Sequence, residues 1–392
     1  MKDTPEKKIL SPLKTLLPIY TTCFLGDGTI GILSIAVPIY ANRLGASPLI
    51  LGLIGAIVGL TYTISAMTVS RVSRKIGRRS TLLIVILLQS IISFAYSLSS
   101  NYFFIIMISA FQGIAFGAFW PNMESLLADK IQSNHIDKAI TGFNVSWSIG
   151  TIIGPFLGGA LIEYFSAKAA FYVAAVLPLI TWLLVVIVHP KKTVKRNEEE
   201  VSKTLSNGLE LLNKLAITYM AVFLFAFSFR TIISLFPAFA GSLNISPLET
   251  GSIILFLGLA RTILFTQNPM LDRHFERRTI MIIGSGMITL SAIIIATGST
   301  IWYFMLGMIA LGLGYGMNYF SAISTILSGD EANRGIRTGL FEGMIGLGGV
   351  VGPMLGGILS EIDMRFPYAS LALITLLFFT YQLAYRWKQK KI

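Results

Sequence analysis

The feature that most constrains this chain is a series of twelve apolar stretches, each long enough to cross a bilayer. They lie near residues 15–41, 48–70, 80–99, 102–128, 139–164, 169–189, 215–240, 247–271, 279–299, 301–328, 337–362 and 367–386. About 20 mostly apolar residues span the hydrocarbon core as a helix. Lipid offers the backbone no hydrogen-bond partners, so isolated apolar stretches of this kind are helical. Only 13% of the residues are charged and 54% are hydrophobic. Soluble domains carry about 25% charged residues, so this chain has too little polar sequence to coat the two or three such domains that its length would otherwise suggest. The expected fold is all-α: an integral cell-membrane protein of twelve transmembrane helices. The first stretch is read as a helix and not as a cleaved leader, because polar sequence runs to Lys14 and the apolar run then continues to about Asn42, too long for a signal-peptide core.

Lysine and arginine collect on the cytoplasmic side of membrane proteins. With the N-terminus inside, 26 basic residues fall in cytoplasmic segments and three fall outside: Arg43, Lys168 and Arg365. Both termini are therefore expected in the cytoplasm. The formal net charge of +12 is explained by these loops, and nucleic acid is not an expected partner. The one cysteine, Cys23, excludes an intrachain disulfide. The histidines His135, His189 and His274 lie in or beside loops, away from clustered carboxylates, so no metal site is expected. No Gly-Lys dipeptide occurs, which removes the phosphate-binding loop of ATP-driven machines. No nucleophile–base pair stands out, so the chain is expected to be neither an enzyme nor a cofactor carrier.

The sequence repeats. Pro38 matches Pro237 at an offset of 199, and Ser47, Pro48, Leu49 and Gly52 match Ser246, Pro247, Leu248 and Gly251. Arg78 and Arg79 match Arg277 and Arg278, and Gly113 and Gly117 match Gly312 and Gly316. Gly150, Gly154, Pro155, Gly158 and Gly159 match Gly348, Gly352, Pro353, Gly356 and Gly357 at 198. Six helices per copy is an even number, so the copies are parallel, related by an axis along the membrane normal. The expected division is an N-terminal six-helix bundle at 1–189, a polar cytoplasmic linker at 190–214 and a C-terminal bundle at 215–392.

In segment five, Gly150, Gly154 and Gly158 recur every four residues and share one helical face. Such a face admits a neighbouring backbone closely, and Pro155 bends the helix. Two readings stay open: tight packing alone, or packing together with a sealing contact between halves that rock. The basic loop after segment two (Arg74, Gly77, Arg78) and its counterpart after segment eight (Asp272, Arg273, Arg277) are topological markers or, in the second copy, a cytoplasmic latch.

These features together resemble the major facilitator superfamily over essentially the whole chain. The glycine-proline series resembles the fifth-helix motif of its proton-coupled drug and metabolite exporters. The resemblance implies alternating access, with helices 1, 4, 7 and 10 lining a central cavity. This chain departs from the pattern at Ser70 and Asn268, where glycine is expected, at Arg74, where aspartate is expected, and at Ser109, where arginine is expected. The last position is tied to proton coupling in the exporters, so the energy source stays open.

Charges within the membrane are costly and usually face the bundle interior or a water-filled cavity. Here they are Asp27, Glu124, Arg230, Arg261 and Glu342. Asp27 is the expected proton carrier, with Arg230 facing it across the cavity. Glu124 and Glu342 are expected near the gate, with Arg261 neutralising Glu342. Tyr20, Trp120, Asn122, Asn144, Trp147, Asn318 and Tyr319 complete the expected substrate path. The leading expectation is a monomeric, proton-coupled exporter of drugs or amphipathic metabolites. The alternatives are an importer of a sugar or organic anion, which Arg230 would suit, and a receptor or scaffold without transport.

Overall fold

A computed structural model describes residues 12–130, 136–188, 215–327 and 334–390. Among these residues, twelve helices follow in order: α1 (Pro12–Arg43), α2 (Pro48–Ile76), α3 (Arg78–Leu98), α4 (Tyr102–Lys130), α5 (Ile136–Tyr164), α6 (Ala167–Val188), α7 (Ala216–Ser242), α8 (Pro247–His274), α9 (Arg277–Thr297), α10 (Ile301–Leu327), α11 (Arg334–Ser360) and α12 (Phe366–Lys390). All twelve are long and apolar enough to cross a membrane. The expected linker at 190–214 lies outside the described residues. Large apolar side chains such as Trp302, Phe165 and Leu377 stay exposed on the outer surface, as they must where lipid is the solvent.

The two copies pack alike. In the first, α1 lies on α5 and α6, α2 on α4, and α3 on α4 and α6; in the second, α7 lies on α11, α8 on α10, and α9 on α10 and α12. The matched glycines make these contacts possible. A methyl group at Gly113 would meet the Val58 carbonyl oxygen of α2, and one at Gly312 would meet that of Leu257 in α8. Gly77 joins α2 to α3 with a φ of 90°, a conformation that L side chains rarely adopt. The basic turns that follow tie each copy's own helices together: Arg79 donates to the Val186 carbonyl at the end of α6 at 2.6 Å, and the Arg278 guanidinium lies 4.5 Å from the Tyr385 ring centre in α12.

The halves meet along two flanks, α5 against α8 and α2 against α11. The close approaches run from mid-bundle, where Gly59 meets the Gly349 carbonyl, to the end opposite the termini. There Gly52 packs on the Pro353 carbonyl and Gly357, and Gly159 packs on the Pro247 carbonyl. At the end that carries the termini, among the described residues, α4 is packed on neither α10 nor α11. Among the described residues the halves are therefore joined at the far end and in mid-bundle and stand apart at α4 near the termini.

The helical glycine motif divides between two jobs. Gly150, Gly154 and Gly158 press on Phe24, Gly28, Gly31 and Ile32 of α1, within the first half, and Gly348, Gly352 and Gly356 press on α7 within the second. The seam between halves uses the other face. The Pro155 carbonyl meets Gly251, the Pro353 carbonyl meets Gly52, and Gly159 and Gly357 complete the two approaches.

The two matched helix starts differ at the seam. Both α2 and α8 begin with Ser-Pro, and proline suits the first helical position because its missing N–H would have no helical partner. In α8, Glu249 closes a capping box: its carboxylate accepts from the Ser246 N–H at 2.8 Å while the Ser246 hydroxyl accepts from the Glu249 N–H. At the matching place α2 has Ile50. Its carboxylate comes from the other half instead, where Glu361 at the end of α11 accepts the Leu49 N–H at 2.8 Å. The Ser47 hydroxyl and Leu49 N–H hold the Glu361 carboxyl below the ordinary carboxylate range. A group with a depressed folded value contributes above its free value and loses that contribution as pH falls through the depressed one. The seam should therefore be insensitive to mild acid and loosen only in strong acid, below the free glutamate value of about 4.3, whereas Glu361→Ala, which removes the acceptor, should loosen it at every pH. Spin labels at the exposed Arg43 and Ile362 positions would report this as a longer mean distance, with the buried Cys23 shielded from the label. An unchanged distance in Glu361→Ala would show that the bond does not hold the seam.

Candidate substrate site

Asp27 sits on α1, 8% exposed, and the Thr151 hydroxyl of α5 donates to its carboxylate. Two cations act on it through space, Arg261 more strongly than Arg230. The expected pairing of Asp27 with Arg230 alone thus becomes a triangle in which Arg261 is the stronger partner. Arg261 does not stand as the counter-charge of Glu342. It is 2% exposed, and its guanidinium lies 4.7 Å from the Trp147 ring centre and 5.3 Å from that of Tyr315. Those rings come from α5 and α10, so Arg261 on α8 is gripped by both halves. Cation–π contacts of this kind gain strength when desolvated. Arg230 on α7 lies 5.9 Å from the Phe229 ring centre.

An aromatic wall runs through the same region. Trp120 of α4 meets Trp147 at 6.3 Å, Trp147 meets Phe265 of α8 at 5.8 Å, and Phe265 meets Tyr319 of α10 at 5.9 Å. Tyr315 and Tyr319 stack at 6.0 Å with planes 8° apart. This chain of rings crosses from one half to the other. Asn144 turns its side-chain oxygen to the Trp147 indole N–H at 3.1 Å, which fixes the ring that backs Arg261.

Toward the end with the termini, Glu124 of α4 and Glu342 of α11 are both exposed and near enough to act on one another as charges. Carboxylates from opposite halves that sense each other must face the space between the halves. Tyr62 of α2 and Tyr319 sense both of them. The embedded charges are thus divided, with Asp27, Arg230 and Arg261 together in mid-bundle and the two carboxylates nearer the end with the termini.

Several expected path residues lie elsewhere. Asn122 is buried between α4 and α2, where it accepts from the Ser73 hydroxyl at 2.7 Å and donates to the Ala118 carbonyl. Asn318 is fully buried and donates to Gly314, with the Ser285 hydroxyl of α9 beside it at 3.5 Å. Tyr20 donates to the Ala139 carbonyl and joins α1 to α5. These are helix-to-helix ties: an amide within a bundle meets its hydrogen-bonding needs wherever a neighbour offers them, and sequence position does not say which neighbour. Asn122→Ala would strand the Ser73 hydroxyl and should cost about 1–3 kcal/mol of stability. Thermal unfolding in detergent would show this as a lower Tm, with substrate affinity unchanged; a loss of affinity at constant Tm would return Asn122 to the path.

Ser109, where the resemblance leads one to expect arginine, is buried against Tyr96 of α3, whose hydroxyl it meets at 2.8 Å. Of the two cations that act on the aspartate, the buried one comes instead from α8. In the second basic loop, Arg277 donates to the Ser324 carbonyl at 3.1 Å within its own half, and Glu276 pairs with Arg386 at 3.7 Å. Arg273 is exposed, and the Asp272 side chain lies outside what the structure describes.

Thr151, Phe265, Tyr62 and Tyr315 were not among the expected site residues. Three carried a usable signal, because Thr151 follows Trp147 by four residues, Phe265 follows Arg261 by four, and Tyr315 precedes Tyr319 by four, and residues four apart share a helical face.

Twelve membrane helices in two parallel six-helix copies, joined along two flanks with embedded charges and aromatic rings between them, define a transporter for small molecules and not an enzyme. The chain belongs to the Major Facilitator Superfamily, whose family model matches residues 19–328 and again 218–391. It is 25% identical over 370 residues to the quinolone resistance protein NorA of Staphylococcus aureus strain MRSA252, covering 90% of this chain and 92% of that one. It is 24% identical over 360 residues to multidrug resistance protein 1 of Bacillus subtilis strain 168, again covering 90% and 92%. In fold it is similar to a point mutant of the nucleoside transporter NupG, with a TM-score of 0.81 and 16% identity over 94% of this chain and 99% of that one. It is also similar to a bacterial homologue of the lysosomal transporter Spinster, with a TM-score of 0.71 and 15% identity over 98% and 96%. The chain is accordingly a multi-pass protein of the cell membrane that moves small molecules across the lipid bilayer.

Proposed function

We propose that the chain exports drug-like or amphipathic metabolites in exchange for protons, and that Asp27 is the group that takes up and releases the proton. The observation that carries this reading is the placement of Asp27: a carboxylate deep in the bundle, held by Thr151, with two arginines acting on it through space, next to a wall of aromatic rings. A proton on Asp27 cancels the attraction to Arg261 and Arg230, and its loss restores it. Because Asp27 and Arg230 belong to opposite halves and Arg261 touches both, the charge state of Asp27 biases how the halves sit. The full-length likeness to two drug resistance proteins supports the substrate class.

With both termini in the cytoplasm, as the distribution of lysine and arginine implies, the parted end faces inward. The cleft then stands open to compounds from the cytoplasm and leaflet, and the closed far seam must part to release them. The two bundles at 1–189 and 215–392 move as the rocking units, and the monomer contains the whole path. Proteoliposomes with an imposed pH gradient test the reading: substrate should move against the proton flow. Movement of substrate and protons in the same direction would make the protein an importer.

A further inference from the structure

Arg261 holds an unmet demand. The guanidinium is 2% exposed, and its Nε and Nη2 have no hydrogen-bond partner among the described residues. These two nitrogens form one edge of the guanidinium plane, the edge that receives a carboxylate through two parallel hydrogen bonds. The nearest anion, Asp27, is engaged by Thr151 and acts on Arg261 only through space. Its Cζ lies over both the Trp147 and the Tyr315 ring, so the guanidinium is restrained between rings from the two halves while the Nε–Nη2 edge stays unpaired. By contrast, Glu124 and Glu342 are exposed and can be satisfied by water. The group that most needs a counter-charge is the buried cation.

We propose that the Nε–Nη2 edge of Arg261 is an anchoring subsite for the carboxylate of a planar aromatic substrate, whose ring extends the wall formed by Trp147, Phe265 and Tyr319. The paired hydrogen bonds set the carboxylate in the guanidinium plane, and the flanking rings prefer a flat aromatic body to an acyl chain. A bound carboxylate also competes with Asp27 for the same cation, which links occupancy to the proton site. The inference rests on the transport path proposed above, so binding and transport are read separately.

The test uses four probes on the purified full-length protein in lipid nanodiscs: 2-naphthoate, 2-naphthylmethylammonium, 2-naphthalenemethanol and decanoate, titrated by calorimetry. 2-Naphthoate should bind at least tenfold more tightly than each of the others. Arg261→Gln should weaken 2-naphthoate at least tenfold and change 2-naphthalenemethanol less than twofold. Arg261→Lys keeps the charge but not the two-nitrogen edge, and should recover only part of the affinity. If Arg261→Gln does not fold, the ranking of probes on the unaltered protein and the Arg261→Lys titration decide. Equal or tighter binding of the ammonium probe, no binding of 2-naphthoate, decanoate binding as tightly as 2-naphthoate, or full 2-naphthoate affinity in either variant overturns the subsite. Proteoliposome flux of the same probes tests the export reading by itself: the ammonium probe exported without 2-naphthoate binding sinks the subsite and keeps export, whereas tight 2-naphthoate binding with no flux of any probe keeps the subsite and sinks export.

Discussion

Gly52→Val will leave both halves folded and slow transport. A Cβ at Gly52 would stand 2.3 Å from the Pro353 carbonyl oxygen and 2.7 Å from the Gly357 Cα, both on the opposite half. Its immediate obstacles are backbone atoms of α11, and within α2 the added methyls replace nothing. Overpacking costs about 1–3 kcal/mol, and here that cost falls on the closed far seam alone, not on either bundle. A bias of that size moves a two-state balance by roughly 5- to 150-fold. The expected result is normal yield and Tm, a longer mean distance between labels at positions 43 and 362, and flux reduced by about the same factor. Gly154→Val supplies the contrast. A Cβ there would meet Gly28 and Gly31 of α1 within one half, so the loss should appear as poor folding and low yield. If the two variants behave alike, the division of the glycine motif between inner packing and outer seam is wrong.

Asp27→Asn will uncouple the protein from the pH gradient. Asparagine keeps the size of the side chain and a hydrogen-bond acceptor for Thr151, but it cannot exchange a proton, and it leaves Arg261 and Arg230 facing no charge at this position. Removing one partner from a buried charged group is costly because the remaining charge is left uncompensated, with about 3–5 kcal/mol as a typical loss. Substrate accumulation driven by a pH gradient should fall to the level of protein-free liposomes, while exchange of labelled for unlabelled substrate down its own gradient persists. Because the cations are then free for another anion, 2-naphthoate should bind Asp27→Asn more tightly than the unaltered protein. Full gradient-driven accumulation in this variant would remove Asp27 from the coupling role.

The fold was largely legible because lipid imposes a simple rule on the chain. Each long apolar run had to become a helix, and each helix appears where its run lies, with small extensions such as the start of α5 at Ile136 and the end of α12 at Lys390. Those extensions follow from polar turns that continue the helix beyond the hydrocarbon, where composition gives little guidance. The repeat was legible because residues at matched positions do matched jobs, as Gly113 and Gly312 do.

The site was legible in part, and for a physical reason. Embedded charge is expensive enough to stand out in a sequence, so Asp27, Arg230, Arg261, Glu124 and Glu342 could all be picked out. Which charge serves which was not legible, because α8 meets α5 across the seam between halves, and nothing local in the sequence reports that approach. Arg261 was therefore paired with Glu342, away from the Trp147 and Tyr315 rings that hold it. The helix-to-helix ties of Asn122 and Asn318 were illegible for a related reason: a buried amide in a helix bundle reads the same in sequence whether it faces a substrate path or a neighbouring helix.

The unequal starts of α2 and α8 bear on the path of the motion. When the far end parts, α8 keeps its own cap, since both Ser246 and Glu249 travel with it. The start of α2 loses the Glu361 carboxylate and must hand its N–H groups to water. The α5–α8 flank also carries Arg261 and Phe265 against Trp147, grips that the α2–α11 flank lacks in kind among the described residues. The two flanks are then unlike as the two edges of a door are unlike: the start of α2 is bolted by a bond from the other half and the start of α8 is not.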